Sequence, residues 1–209
     1  MQFPLSLLKV YLQRTSISLF IPDKEAVKYA FKHGLIETPY WSQVWPSAKA
    51  LANFILANPD YTKGKCVLEL GAGLGLPSFA AARNAKHVLC TDQFPAAVEI
   101  ANQSARQLEL ENFVAETFNW QELPNDLQTD VLLLSDVNYE PGIFASLSNV
   151  IDSFLAKGTT ILISTPQRLM AKEFILSLLP YCKQKEDTVI KHEGDDVLIT
   201  TLVLQRNEG

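Results

Sequence analysis

From about residue 46 onward, short apolar runs alternate with stretches whose apolar residues recur every three to four positions. Pro46 can occupy the first turn of a helix, with Ala48, Leu51, Phe54 and Ile55 as its buried stripe. Val67 and Leu68 end an apolar run, and LPSFAAARNA follows as a helix with Pro77 in its first turn. His87–Cys90 read as a second strand. Beyond Pro95, Ala97, Ile100, Ala101, Ala105 and Leu108 form one helical face. Phe113–Phe118 give a third strand. Asp130 precedes VLLLS, which is apolar at both parities, as a central parallel strand requires. Pro141 opens a helix with Ile143, Leu147, Val150, Ile151 and Phe154 inward. Thr160–Ser164 are a further strand, and Met170, Phe174, Ile175 and Leu178 mark a helix that Pro180 ends. The last segment reads as a hairpin turning at Gly194-Asp195. Its final strand, Val197–Leu204, suits burial on both faces, while Lys191 and His192 suit an edge. Strands alternating with helices predict an α/β fold around a mostly parallel sheet.

The N-terminal part is less regular. Residues 15–21 alternate like a short strand, and Asp23 can cap a helix with Val27, Ala30 and Phe31 on one face. The apolar N-terminus is interrupted by Pro4 and Lys9, and no cleavage pattern follows. The pattern predicts an extension over residues 1–45, packing on or lidding the site of a domain over residues 46–209. A chain of 209 residues, 47% hydrophobic and 20% charged, fits one such domain.

Charge narrows the partners. The net charge of −5 suggests no strongly basic nucleic-acid face. Residues 1–60 carry six Lys/Arg against four Asp/Glu, an asymmetry too small to name a partner. No run approaches the roughly 18 apolar residues of a membrane span. Cys66, Cys90 and Cys182 form no C-x-x-C pair, and His33, His87 and His192 show no metal-ligand spacing. The expectation is a cytoplasmic protein with no metal, no nucleic-acid partner and no membrane.

Chemistry concentrates in Glu69-Leu-Gly71-Ala72-Gly73-Leu-Gly75. Three of the nine glycines fall in five residues between a strand and a helix. That arrangement lets backbone approach a nucleotide and aims N–H groups at it. An ordinary βα turn would look the same. A dinucleotide fingerprint starting at Gly71 needs glycine or alanine at position 76, where Leu76 stands, which counts against an NAD-dependent oxidoreductase. Asp92 lies 21 residues after Gly71, close to the offset at which a carboxylate accepts hydrogen bonds from ribose hydroxyls. A helix N-cap is the other use of an aspartate there. If Gly71 and Asp136 end neighbouring strands, they face each other across the switch point of the sheet, where such folds bind ligands. An Asp capping the next helix is again the plainer alternative.

The E-x-G-x-G-x-G stretch resembles the first motif of the seven-stranded, Rossmann-like S-adenosylmethionine (SAM) methyltransferases. V-W-P-x-A at Val44–Ala48 and D-x-x-Y at Asp136–Tyr139 are similar to the small non-histone protein-lysine methyltransferases, methyltransferase family 16. Val137-Asn138 replaces the two prolines of the N/D-P-P-Y motif of DNA-adenine and glutamine methyltransferases, which argues against both. The resemblance implies a seven-stranded sheet, mostly parallel with an antiparallel C-terminal strand and helices on both faces. It implies SAM as cofactor, S-adenosylhomocysteine as product and a protein lysine as acceptor. The cofactor-binding residues it implies are Trp45, Glu69, Gly71, Ala72, Gly73, Gly75, Asp92, Asn119, Trp120 and Ser135. Asn119 and Trp120 would meet the adenine edge and face. Asp136 would orient the acceptor amine and relay its proton, and Tyr139 would wall the channel. Trp41 and Trp45 could equally be core. Gln167 and Arg168 lie on the rim expected for Asp136. A small-molecule amine acceptor and a non-catalytic SAM-binding scaffold are the competing readings.

Overall fold

The structure, a computed structural model, describes residues 2–120, 123–124 and 126–206. Seven strands form one sheet in the order β5-β4-β3-β6-β7-β9-β8. They are β3 (Cys66–Leu70), β4 (His87–Asp92), β5 (Phe113–Thr117), β6 (Val131–Ser135), β7 (Thr160–Pro166), β8 (Cys182–His192) and β9 (Asp195–Leu204). The first five pair in parallel, and β9 inserts antiparallel between β7 and β8. This is the Rossmann-like methyltransferase architecture expected. The hairpin loop is Glu193-Gly194, one residue earlier than expected. Both residues hold positive φ, which lets a two-residue loop follow the strand twist.

Strand periodicity builds two cores. Val67, Val88, Cys90, Val131 and Leu133 face α2 (Pro46–Ala57), α3 (Leu76–Ala82) and α4 (Pro95–Gln107). Leu68, Leu70, Leu132, Leu134, Ile161 and Ile163 face α5 (Phe144–Ala156) and α6 (Lys172–Leu178). All five residues of β6 are buried, as a strand covered on both faces must be. The stripe Ala48, Leu51, Phe54 and Ile55 of α2 is wholly inside.

Ahead of this domain, β1 (Leu5–Tyr11) pairs antiparallel with β2 (Ser16–Pro22) in a separate two-stranded sheet. The sequence pattern predicted only β2, because Leu7 and Tyr11 are exposed and break the alternation of β1. The hairpin packs on α4, where the Phe20 N–H donates to Ser104 Oγ at 2.9 Å. Asp23 Oδ1 caps α1 (Lys24–Lys32) by accepting from the Ala26 N–H at 2.8 Å. Val27 and Ala30 of α1 face inward, but Phe31 points out, as does Met170 before α6.

The chain runs from β3 through β4 to β5 on one side, then crosses to β6 on the other side of β3. The switch point therefore falls between the C-terminal ends of β3 and β6. Loops from both sides must diverge there, leaving a crevice.

Candidate cofactor and acceptor site

A cavity of about 310 Å³ opens at this switch point, a size suited to a small-molecule ligand. Its floor is the turn after β3. Gly71, Gly73 and Gly75 have φ of 65°, 55° and 76°, a region that side chains disfavour. A Cβ on Gly73 would stand 3.1 Å from the Trp41 carbonyl oxygen, and one on Gly71 would stand 3.1 Å from Val137 Cγ1. The turn is thus a cradle whose close approaches only glycine allows.

Two carboxylates hold that cradle. Asp92 Oδ2 accepts the Gly73 N–H at 2.7 Å, and Oδ1 accepts the Phe94 N–H at 3.0 Å. Asp92 lines the cavity, and burial raises its pKa despite these bonds. An ionised carboxylate has about four acceptor sites, so capacity remains for ribose hydroxyls. Phe94 is the residue that enters α4, so Asp92 ties the helix start and still faces the cavity. Glu69 is different. It is fully buried, and Oε2 accepts from Ser78 N at 2.9 Å and from Ser78 Oγ at 2.5 Å. Period two places Glu69 on the face of Val67, beneath α3, so it braces the turn from below and does not line the cavity. Burial pushes its carboxyl up to about 8.

Trp45, Gly71, Ala72, Gly73, Gly75, Asp92, Trp120, Ser135, Asp136 and Tyr139 all line the cavity. Asn119 does not. Phe118 and Trp120 on either side of it do. The Trp45 indole N–H donates to the Tyr40 carbonyl at 2.7 Å, leaving the ring face, not its donor, for a ligand. Trp41 also lines the cavity. It is 4% exposed, and its indole N–H has no hydrogen-bond partner among the described residues. A buried donor of that kind is costly unless a ligand or water satisfies it.

The other end of the cavity is built on β6 and β7. Asp136 holds φ of 57°, an uncommon conformation that Asp tolerates better than most residues. Its N–H donates to the Ser164 carbonyl of β7 at 3.0 Å. Arg168 Nη1 donates to Asp136 Oδ1 at 2.6 Å. Gln167, its neighbour, turns away to Thr200. Tyr139 meets the Tyr40 ring edge-on at 5.6 Å, and burial, then Glu140, raises its pKa. Tyr40, Phe94 and Phe118 also line the cavity without having been expected there. Phe118 directly follows β5, whose position was legible, but nothing in the sequence marks Tyr40 or Phe94.

The cradle, the aromatic walls, Asp92 and the orphaned Trp41 donor fit an adenosyl cofactor carrying polar groups at both ends. Among the described residues no group of His, Cys, Asp and Glu could hold a metal ion.

Comparison with known proteins agrees with the geometry. A family model described as lysine methyltransferase matches residues 37–180. The electron transfer flavoprotein beta subunit lysine methyltransferase of Rattus norvegicus is 34% identical over 134 residues, covering 62% of this chain and 51% of that protein. The histone-arginine methyltransferase METTL23 of Mus musculus is 28% identical over 153 residues, covering 70% of this chain and 60% of that one. The chain thus spans about half the length of the first of these relatives. Among solved structures, SMU.776, assigned as a methyltransferase and complexed with S-adenosylhomocysteine, aligns with a TM-score of 0.62 at 14% identity, covering 95% of this chain and 56% of that one. The N-methyltransferase NodS from Bradyrhizobium japonicum gives 0.58 at 13% identity, covering 76% and 94%. At such identities these likenesses show the fold.

Proposed function

The chain belongs to the lysine methyltransferase family, and on that premise we propose that it is a SAM-dependent N-methyltransferase acting on a lysine side chain of a protein. The observation that carries this reading is the single cavity that joins the glycine cradle and Asp92 to Asp136 and Tyr139. A nucleotide-binding half and an acceptor half share one space.

Bound there, SAM would supply a sulfonium-held methyl group for transfer to a nucleophile. The chain's own residues supply position, which is worth much in an in-line displacement. Gly71, Ala72 and Gly73 bring backbone against the ligand. Asp92 takes ribose hydroxyls, and Trp45, Phe94, Phe118 and Trp120 enclose the flat and apolar parts. Asp136 orients the acceptor nitrogen by hydrogen bonding, and Tyr139 walls its path. A free lysine has a pKa of about 10.4, so the acceptor must lose a proton before it reacts.

The rim supports a macromolecular acceptor over a small amine. Leu169 and Met170 directly follow Arg168 and are 94% and 56% exposed. Tyr40 and Tyr139, which line the cavity with Arg168, are themselves partly exposed. Apolar side chains at the opening of a site suit a protein surface. A cytoplasmic setting is part of the same proposal, resting on three cysteines without a C-x-x-C pair.

The test is incubation with radiolabelled SAM and a lysate of the source cells, beside the Asp136→Asn protein. The expected result is a discrete, nuclease-resistant protein band that carries label as methyllysine and is lost in the variant. Label in methylarginine, or only in the small-molecule fraction, would contradict the lysine acceptor. Label at equal strength in the variant would contradict the role given to Asp136.

A further inference from the structure

The cavity has a marked charge imbalance. Among the described residues lining it, Asp92 at the end of β4 and Asp136 and Glu140 beyond β6 are acidic, and Arg168 beyond β7 is basic. Tyr40 before α2 and Tyr139 add two phenols to the lining. His192 of β8 lies near the Trp45 ring, at 6.1 Å between centroids, and does not line the cavity. The Arg168 guanidinium is spent on one of the three carboxylates, the one at the acceptor end. Its Nη1 stands 2.6 Å from Asp136 Oδ1, with side-chain exposures of 31% and 9%. Asp136 is also tied to β7 through its own N–H, so both its backbone and its carboxylate are anchored to the same strand end.

That arrangement answers a chemical difficulty in the proposed reaction. A carboxylate alone beside an amine stabilises the ammonium, which has no lone pair to donate. A carboxylate whose charge is cancelled by a guanidinium still accepts a hydrogen bond but no longer holds the proton on nitrogen. A nearby cation itself disfavours a second positive charge, one of the means by which proteins make lysine nucleophilic.

We propose that Arg168 is a positioning residue that balances the charge of Asp136, so that the acceptor amine sits beside Asp136 as the neutral base. This rests on the methyl-transfer reading above. Before transfer the ammonium gives its proton to solvent through the mouth, where Arg168 is partly exposed. The nitrogen lone pair then forms the N–C bond to the methyl carbon while the C–S bond breaks and its electron pair returns to sulfur. The methylated nitrogen carries the positive charge away or loses a further proton to solvent.

The experiment compares wild type, Arg168→Gln and Arg168→Lys by calorimetric titration with two probes: SAM, which is cationic at sulfur, and S-adenosylhomocysteine, which is neutral there. Arg168→Gln leaves Asp136 uncompensated. The affinity ratio should therefore move toward SAM by about fivefold, as one unbalanced charge gives in water-rich surroundings. In the labelling assay the acid limb of the pH profile for the protein band should rise by about one pH unit, because the carboxylate now favours the ammonium. Arg168→Lys should restore both. Either quantity staying at its wild-type value in Arg168→Gln overturns the inference, and failure of Arg168→Lys to restore them would assign Arg168 a role of shape, not charge. A wild type that binds neither probe would overturn the proposed function and this inference together, whereas binding with an unmoved ratio would overturn the inference alone.

Discussion

At the scale of single residues, Glu69 and Asp92 show how similar carboxylates diverge by where a strand leaves them. Asp92 ends β4 and reaches the cavity, whereas Glu69 lies inside β3 with no exposure. Burial drives the Glu69 carboxyl up to about 8 against an ordinary 4.5, although both Ser78 donors oppose the shift. The folded state therefore binds this proton more tightly than the unfolded chain. Stability from the protonated group is fully present below about pH 4.5 and is lost as pH rises through about 8. Glu69→Gln, neutral at every pH, should flatten that slope. Urea unfolding at pH 5 and pH 8 should show wild type losing on the order of 3 kcal/mol more than the variant. Equal losses would mean that Glu69 is ionised when folded.

At the scale of elements, the N-terminal hairpin joins the main core through Val10, Leu12, Ile17 and Leu19 and is tied to α4 by a hydrogen bond. Ser104 Oγ accepts the Phe20 N–H and donates to the Ile100 carbonyl. Ser104→Ala leaves a part-buried donor unpaired and should cost about 1–3 kcal/mol. Hydrogen exchange should then quicken across β1 and β2 and stay unchanged in β6; uniform quickening would show that the hairpin is not a separate unit of stability. Elements were legible wherever periodicity and proline agreed. Pro46 and the stripe to Ile55 placed α2, VLLLS placed β6, and the apolar parity of Val197–Leu204 placed β9 inside the sheet, although Leu198 near its start is exposed. β1 was not legible because Val10 alone of its seven residues is fully buried, so its sequence shows no clear alternation. The site was half legible for a related reason. Motif residues next to strand ends were found, while Tyr40 and Phe94 come from loops with no periodic signal. The Asp136–Arg168 pair spans 32 residues, and only the parallel pairing of β6 with β7 makes them neighbours.

At the scale of the whole molecule, the cavity sits where the sheet reverses direction, and the hairpin and α1 lie ahead of the segment that reaches it. Thr38, Tyr40, Trp41, Gln43, Val44 and Trp45, ahead of α2, contribute to its wall. Leu169 and Met170, exposed directly after the cavity-lining Arg168, are the landing point proposed above for an acceptor protein. Leu169→Glu should raise KM for the labelled protein several-fold while leaving SAM affinity unchanged, and an unchanged KM would remove this surface from acceptor recognition. Among the described residues no helix is long and apolar enough to cross a membrane. The central claim is that the glycine cradle holds SAM, and calorimetric titration of SAM into wild type and Gly73→Ala tests it most directly. The added methyl would meet the Trp41 carbonyl at 3.1 Å on a backbone of φ 55°. Saturable one-to-one binding by wild type, weakened at least about tenfold in a variant that remains folded, is the predicted result. No binding by wild type, or equal binding by both proteins, would contradict it.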